Sequence, residues 1–196
     1  MEASMSTLIQ KSECLIEALE KRDSYTKNHC GRVESLCLQM AQCSHLDAHE
    51  TMLLKLASRL HDVGKIGIPD HILLKPGRLD DDDLKIMRTH AELGENICDK
   101  LPHQNALSIS HFVRHHHEAF DGSGYPDGLS EDEIPLCSRI ISLADSYDAM
   151  LTTRPYQKAR SHEQVIEIMQ SECGRKSDPL LFAQFEQIVS HSASIH

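Results

Sequence analysis

The sequence predicts an all-helical fold, a single compact bundle. Three observations predict it. Apolar residues recur at helical spacing nearly throughout the chain. No run alternates polar and apolar residues convincingly over strand length. Proline and glycine gather around Pro69 to Gly77 and over residues 119–136, where they mark loops.

Each element follows from its own pattern. Leu8, Leu15, Ile16 and Leu19 give a first helix over about 5–22. Val33, Leu36, Cys37, Met40 and Ala41 give the second, and Leu53 to Leu60 a third that carries into His61. The acidic cluster Asp80 to Asp83 precedes Leu84, Ile86 and Met87. Carboxylates there suit an N-cap and the positive end of a helix dipole, and that helix is expected to run to about Lys100, before Pro102. Ala106 to Val113 leads into His115-His116-His117. Residues 119–136 hold three Gly and two Pro and read as a loop. Ile140 to Leu151, Gln164 to Met169 and Leu180 to Val189 complete the bundle.

A chain of 196 residues suits one domain with a sizeable core. With 40% hydrophobic and 26% charged residues it is a globular composition. A net charge of −10 argues against a nucleic-acid polymer as partner, which needs a basic face. No apolar run approaches membrane-spanning length, so no membrane association is expected and the cytoplasm is the expected location. The seven Cys are scattered without a C-x-x-C pair and read as reduced thiols.

The fourteen His are the unusual feature. His61-Asp62 ends an apolar helix, and adjacent residues there point about 100° apart, so both can reach an ion beside that turn. Taken alone, the pair is more often a polar helix terminus than a metal site. His116-His117 likewise splay and could feed two neighbouring metals, or form a solvated patch. Asp121-Gly122-Ser123-Gly124-Tyr125-Pro126 is a Gly-rich loop without the spacing or lysine of a P-loop. Asp145 and Asp148 share one face of an apolar helix, where buried carboxylates need a partner or a metal. His29 and His90, as single residues, carry no signal of their own.

Together these residues carry a resemblance. His61-Asp62-Val63-Gly64-Lys65-Ile66-Gly67-Ile68-Pro69, followed by His116-His117-Glu118-Ala119-Phe120-Asp121-Gly122-Ser123-Gly124-Tyr125-Pro126, resembles the HD-GYP family of the HD superfamily of metal-dependent phosphohydrolases. Asp23 to Val33, Leu74 to Gly94 and Arg139 to Tyr156 match in order, so the resemblance covers roughly residues 20–190. It implies a helical HD-domain bundle with a metal centre in its core. Residues 23–196 would form the catalytic domain and residues 1–22 a helix that packs on it, dimerises or continues a linker. It further implies a cyclic di-GMP phosphodiesterase yielding pGpG, and GMP after a second cut.

Residue by residue, the resemblance assigns metal ligation to His29, His61, Asp62, His90, His116, His117 and Asp145, with Asp62 bridging two ions. It assigns phosphate contact and charge stabilisation to Lys65, the dinucleotide site to Gly124, Tyr125 and Arg154, and a carboxylate near the attacking water to Asp148. Iron or manganese is the implied metal, with Zn, Ni or Co compatible with the same donors. Two departures stand out. Tyr25 replaces a Glu that holds a third metal in some members, so two metals are expected. Gln157 replaces a basic residue, followed by Lys158, which puts one phosphate contact in doubt. The alternatives are a phosphodiesterase for 3′,3′-cGMP-AMP, or a module that holds a cyclic dinucleotide with little turnover or docks a partner protein through residues 121–128. A homodimer is compatible with either.

Overall fold

The computed structural model describes residues 5–22, 26–152 and 159–193. Among the described residues ten α-helices follow one another: α1 (Met5–Arg22), α2 (Thr26–Cys43), α3 (Ala48–Leu60), α4 (Asp70–Leu73), α5 (Asp81–Arg88), α6 (His90–Cys98), α7 (Ala106–Arg114), α8 (Leu136–Leu151), α9 (His162–Ser171) and α10 (Pro179–Ala193). Two short 3₁₀ turns, Val63–Gly67 and Glu131–Glu133, complete the described secondary structure. No strand occurs among the described residues, only isolated bridges between Asp121 and Ser130 and between Cys173 and Ser177. The all-helical expectation holds.

The starts of α3, α5 and α9 are fixed by side-chain capping. Asp47 accepts from the Glu50 amide while Glu50 accepts from the Asp47 amide. Asp80 and Asp83 form the same reciprocal pair at α5, as the acidic cluster predicts. The expected single helix from residue 81 to about 100 is two helices. The chain turns at Thr89, whose amide bonds to Ile86 and Met87 carbonyls, and α6 leaves from there. That break sets His90 at the first position of α6.

The core is one continuous cluster in which α2, α3, α7, α8 and α10 meet, with Val33, Leu54, Leu60, Ile109, Ile140 and Phe185 fully buried. Helix α1 buries Leu8, Ile16 and Leu19 against this body. Its last residue, Arg22, reaches the 3₁₀ turn after His61-Asp62: its guanidinium donates to the carbonyls of Lys65, Ile66 and Ile68 and pairs with Asp70. Of the seven cysteines, Cys30, Cys37, Cys98 and Cys137 are buried and all seven are free thiols.

Two glycines set the approach of segments at the site. A Cβ on Gly64 would lie 1.9 Å from the His90 carbonyl oxygen and 2.4 Å from the Gly94 nitrogen, so only glycine lets the 3₁₀ turn rest on α6. A Cβ on Gly124 would lie 2.2 Å from the Ala119 nitrogen, so only glycine lets the Gly-Tyr-Pro loop fold back on His117-Glu118-Ala119.

Candidate metal centre and substrate cleft

Five helices deliver seven donors to one point. His29 comes from α2, His61 and Asp62 from the end of α3, His90 from the start of α6, His116 and His117 from just beyond α7, and Asp145 from α8. Helix ends suit this task, because a residue there can turn its side chain inward while its backbone leaves the helix.

Three of the imidazoles are oriented by one device. His61 donates from Nδ1 to the Ser58 carbonyl (2.7 Å), His90 to Met87 (2.7 Å) and His116 to Val113 (2.6 Å). A carbonyl only accepts, so Nδ1 carries the proton and Nε2 presents a bare lone pair inward. Such outer hydrogen bonds fix tautomer and ring direction in metal-binding histidines.

The donors form two groups, each with its ligand atoms within 4.8 Å of one another: His29, His61 and Asp62, and His90, His116 and His117. His116 and His117 therefore belong to one group. The sequence alone also allows adjacent histidines to feed two neighbouring metals. Asp62 lies between the groups. Its Oδ1 is 3.5 Å from His90 Nε2, and its Oδ2 is 3.5 Å from His61 Nε2 and 4.0 Å from His29 Nε2. Asp145 Oδ1 joins the first group, 3.1 Å from His29 Nε2 and 3.9 Å from His61 Nε2.

These residues fit cations. His61 Nε2 is buried without a hydrogen-bond partner, an arrangement that costs free energy unless something fills it. His90 and His116 turn their unprotonated Nε2 atoms toward each other at 3.5 Å, where neither can donate. A mixed imidazole and carboxylate set suits first-row divalent metals.

The titration behaviour points the same way. Burial, then His117, His61 and His90, hold His116 well below the ordinary imidazole range, and burial with His90 lowers His117 to about 3. His90 is also lowered, by burial foremost. Neutral imidazoles are the ligating form. Burial would raise the Asp62 carboxyl, but Lys65, His61, His90 and His29 together hold it well below its usual range. Burial would lower His29, yet its bonds to Asp145 and Asp148 outweigh that and raise it to about 9.

Lys65 Nζ donates to Asp62 Oδ2 (2.6 Å), one turn beyond the ligands as the sequence suggests. Asp148, expected near the attacking water, is bonded to His29 and Arg32. Its Oδ2 accepts from His29 Nδ1 (2.7 Å) and from Arg32 (2.9 Å), and its Oδ1 accepts from Arg32 Nε (2.5 Å). It sits behind His29, on the ring edge away from Asp145. Arg154 lies outside the described residues, as do Tyr25, Gln157 and Lys158.

Beside the ligands opens a cleft of about 480 Å³. His117, Gly124, Tyr125 and Asp145 line it, which brings Gly124 and Tyr125 of the Gly-Tyr-Pro loop beside the candidate metal ligands. The Tyr125 ring stacks on His117 (centroids 4.9 Å apart). Glu118 accepts from the Asp127 amide (2.8 Å), and Asp127 is paired with Arg114 and His115, which ties the far side of the loop to α7. Arg88 carries no signal in the sequence, where it reads as an ordinary charged residue on a helix, and Arg32 enters only within the matching run 23–33, without a role.

A helical bundle gathering five histidines and two aspartates beside a cleft defines a helical domain with a candidate metal centre. The chain belongs to the HD domain family, whose pattern matches residues 13–181. It is 36% identical over 181 residues to the cyclic di-GMP phosphodiesterase response regulator RpfG of Xanthomonas campestris pv. campestris, covering 89% of this chain and 48% of that protein. It is 37% identical over 185 residues to 3′3′-cGAMP-specific phosphodiesterase 2 of Vibrio cholerae, covering 92% and 35%. Among solved structures, a cyclic GMP-AMP specific phosphodiesterase of V. cholerae superposes with a TM-score of 0.69 at 20% identity, over 94% of this chain and 48% of that one. The HD-GYP resemblance agrees with these matches. The chain spans about half the length, or less, of these relatives. No helix among the described residues is long and apolar enough to cross a membrane.

Proposed function

We propose that the chain is the catalytic unit of a metal-dependent phosphodiesterase that hydrolyses cyclic di-GMP to linear pGpG, with GMP as the product of a second cut. The observation that carries this reading is Asp62, buried between two imidazole groups with one oxygen toward each, beside a cleft lined by Tyr125. His29, His61 and Asp145 would hold one divalent ion, His90, His116 and His117 a second, and Asp62 both. Iron or manganese is the proposed metal. Such ions supply Lewis-acid neutralisation of phosphoryl charge and lower the pKa of the attacking water.

The chain's own residues do the rest. Lys65 places an ammonium at the edge of the centre, where it offsets negative charge building on the phosphoryl oxygens. Tyr125, kept protonated by burial foremost, presents a neutral phenol and a ring face to a base or phosphate. Asp148, bonded to His29 Nδ1, is proposed to orient that ligand, a role beside the one near the attacking water that the resemblance implies. Arg154 is proposed for a phosphate or guanine contact. The catalytic unit would run over residues 23–196, with residues 1–22 as a packed N-terminal brace. A protein partner is proposed at the 121–128 loop, where Asp121 and Ser123 are exposed, and a homodimer is compatible with this arrangement.

Hydrolysis of 3′,3′-cGMP-AMP is the second reading, favoured by the relatives named for that substrate. Anaerobic turnover of both dinucleotides by Mn- or Fe(II)-loaded protein, with metal content measured on the same sample, decides between them. Cleavage with about two metals per chain supports the enzyme. Tight binding with no product by a metal-loaded sample indicates a sensor.

A further inference from the structure

Every cation lining the described cleft except one is already matched to carboxylates. Arg139 bonds Asp178 (2.8 Å) and Asp132 (3.0 Å), and Lys176 pairs with Glu172 (2.7 Å). Deeper, Lys65 is paired with Asp62. Arg88 has no carboxylate partner among the described residues, is exposed at the end of α5, and lines the cleft. Its guanidinium lies over the Tyr125 ring, 5.2 Å from the centroid, and Tyr125 in turn stacks on His117. Arg88 is thus one ring removed from a residue of the metal group.

A cation–π contact uses the charge of the guanidinium and satisfies none of its five N–H donors with an oxygen acceptor, so the donor fork remains available to an anion. A planar fork of donors is the usual partner for phosphate oxygens. The proposed substrate has two phosphodiesters, each carrying one negative charge. The metal centre takes one, and the other must enter a cleft whose walls include Glu118, Asp145, Glu172 and Asp178 in a chain of net charge −10. A cation there with no carboxylate to neutralise it meets that requirement.

We propose that Arg88, held on Tyr125, is the binding subsite for the phosphate of the cyclic dinucleotide that is not being cleaved. This rests on the phosphodiesterase reading above, and the test separates the two. The Mn-loaded wild type, Arg88→Ala and Arg88→Lys are assayed on cyclic di-GMP and on bis(4-nitrophenyl) phosphate, a diester with no second phosphate. Dissociation constants for cyclic di-GMP are measured alongside. Arg88→Ala should raise KM and Kd for the dinucleotide roughly 10- to 100-fold, the range for losing a charged hydrogen bond. Its kcat and its aryl-diester turnover should stay near wild type, and Arg88→Lys should recover part of the affinity. An unchanged dinucleotide Kd overturns the subsite. So does an equal loss on both substrates, which would make Arg88 a mere support for Tyr125 and His117. A wild type that cleaves the aryl diester but binds no cyclic dinucleotide rejects the substrate reading and the subsite together. If nothing is cleaved, the enzyme reading fails and the Kd comparison still decides the subsite.

Discussion

Asp148 Oδ2 lies 2.7 Å from His29 Nδ1, on the ring edge opposite the one that faces Asp145 at 3.1 Å. The two carboxylates, one helical turn apart on α8, thus grip the two nitrogens of a single imidazole. Arg32, one turn beyond His29 on α2, bonds both oxygens of Asp148 and fixes the outer member. With Nδ1–H committed to Asp148, Nε2 is the atom left for a metal. Asp148→Asn keeps the shape and removes the charge. Metal affinity should fall roughly 10- to 100-fold, as when other outer-shell partners of ligating histidines are removed. Competition with a chelator measures it. Unchanged metal affinity with a collapsed kcat would return Asp148 to the role of proton acceptor.

Removing the bridging position should abolish both metal binding and turnover. The His61→Ala, Asp62→Ala double variant deletes the orphaned Nε2 and the only carboxylate set between the two imidazole groups among the described residues. Mn(II) should raise the melting temperature of the wild type by roughly 5–10 °C at about 100 times its Kd. It should leave the double variant unmoved. An equal shift in both proteins would place the metal elsewhere.

Much of this was legible in the sequence, and the remainder fails for identifiable reasons. Helices α1, α3, α7 and α10 follow apolar spacing, which is a local property. The break at Thr89 carries no Gly or Pro and follows instead from docking α6 against Gly64. His29 and His90 are silent as lone residues. They were named as ligands only through the family resemblance, because their convergence with Asp62 depends on long-range packing of α2 and α6. Arg88 gave no signal, since its meaning comes from Tyr125, 37 positions later in the chain.

The metal-free protein should be most stable near pH 6.5. Ordinary imidazoles titrate at about 6.5. His117, lowered to about 3, and the lowered His90 and His116 refuse protons that the unfolded chain accepts. Stability therefore falls as pH drops from about 6.5 toward 3. His29, raised to about 9, works in the opposite sense. Its contribution is complete below about 6.5 and is lost as pH rises toward 9, amounting to about 1–2 kcal/mol by pH 8. Melts in chelator at pH 5, 6.5 and 8 test both limbs, and His29→Gln should flatten only the alkaline one. A melting temperature that climbs steadily from pH 5 to 8 in the wild type would contradict the His29 assignment.

Glycine-to-alanine substitutions separate close packing from mere flexibility. At Gly31, on the exposed face of α2, an added Cβ meets nothing within 4 Å. Gly31→Ala should therefore stabilise the protein by roughly 0.5–1 kcal/mol through helix propensity. At Gly124 the added carbon would sit 2.2 Å from the Ala119 nitrogen and 2.5 Å from the Glu118 Cα, both backbone atoms that cannot step aside. The loop must then lift away and take Tyr125 off His117. A shift of about 1 Å in a positioning element is enough for a roughly 100-fold loss in turnover. The ligands lie on other segments, so the circular dichroism spectrum and metal content of Gly124→Ala should match wild type while kcat/KM drops. Full activity in that variant would show that the stacking of Tyr125 on His117 is dispensable for the reaction.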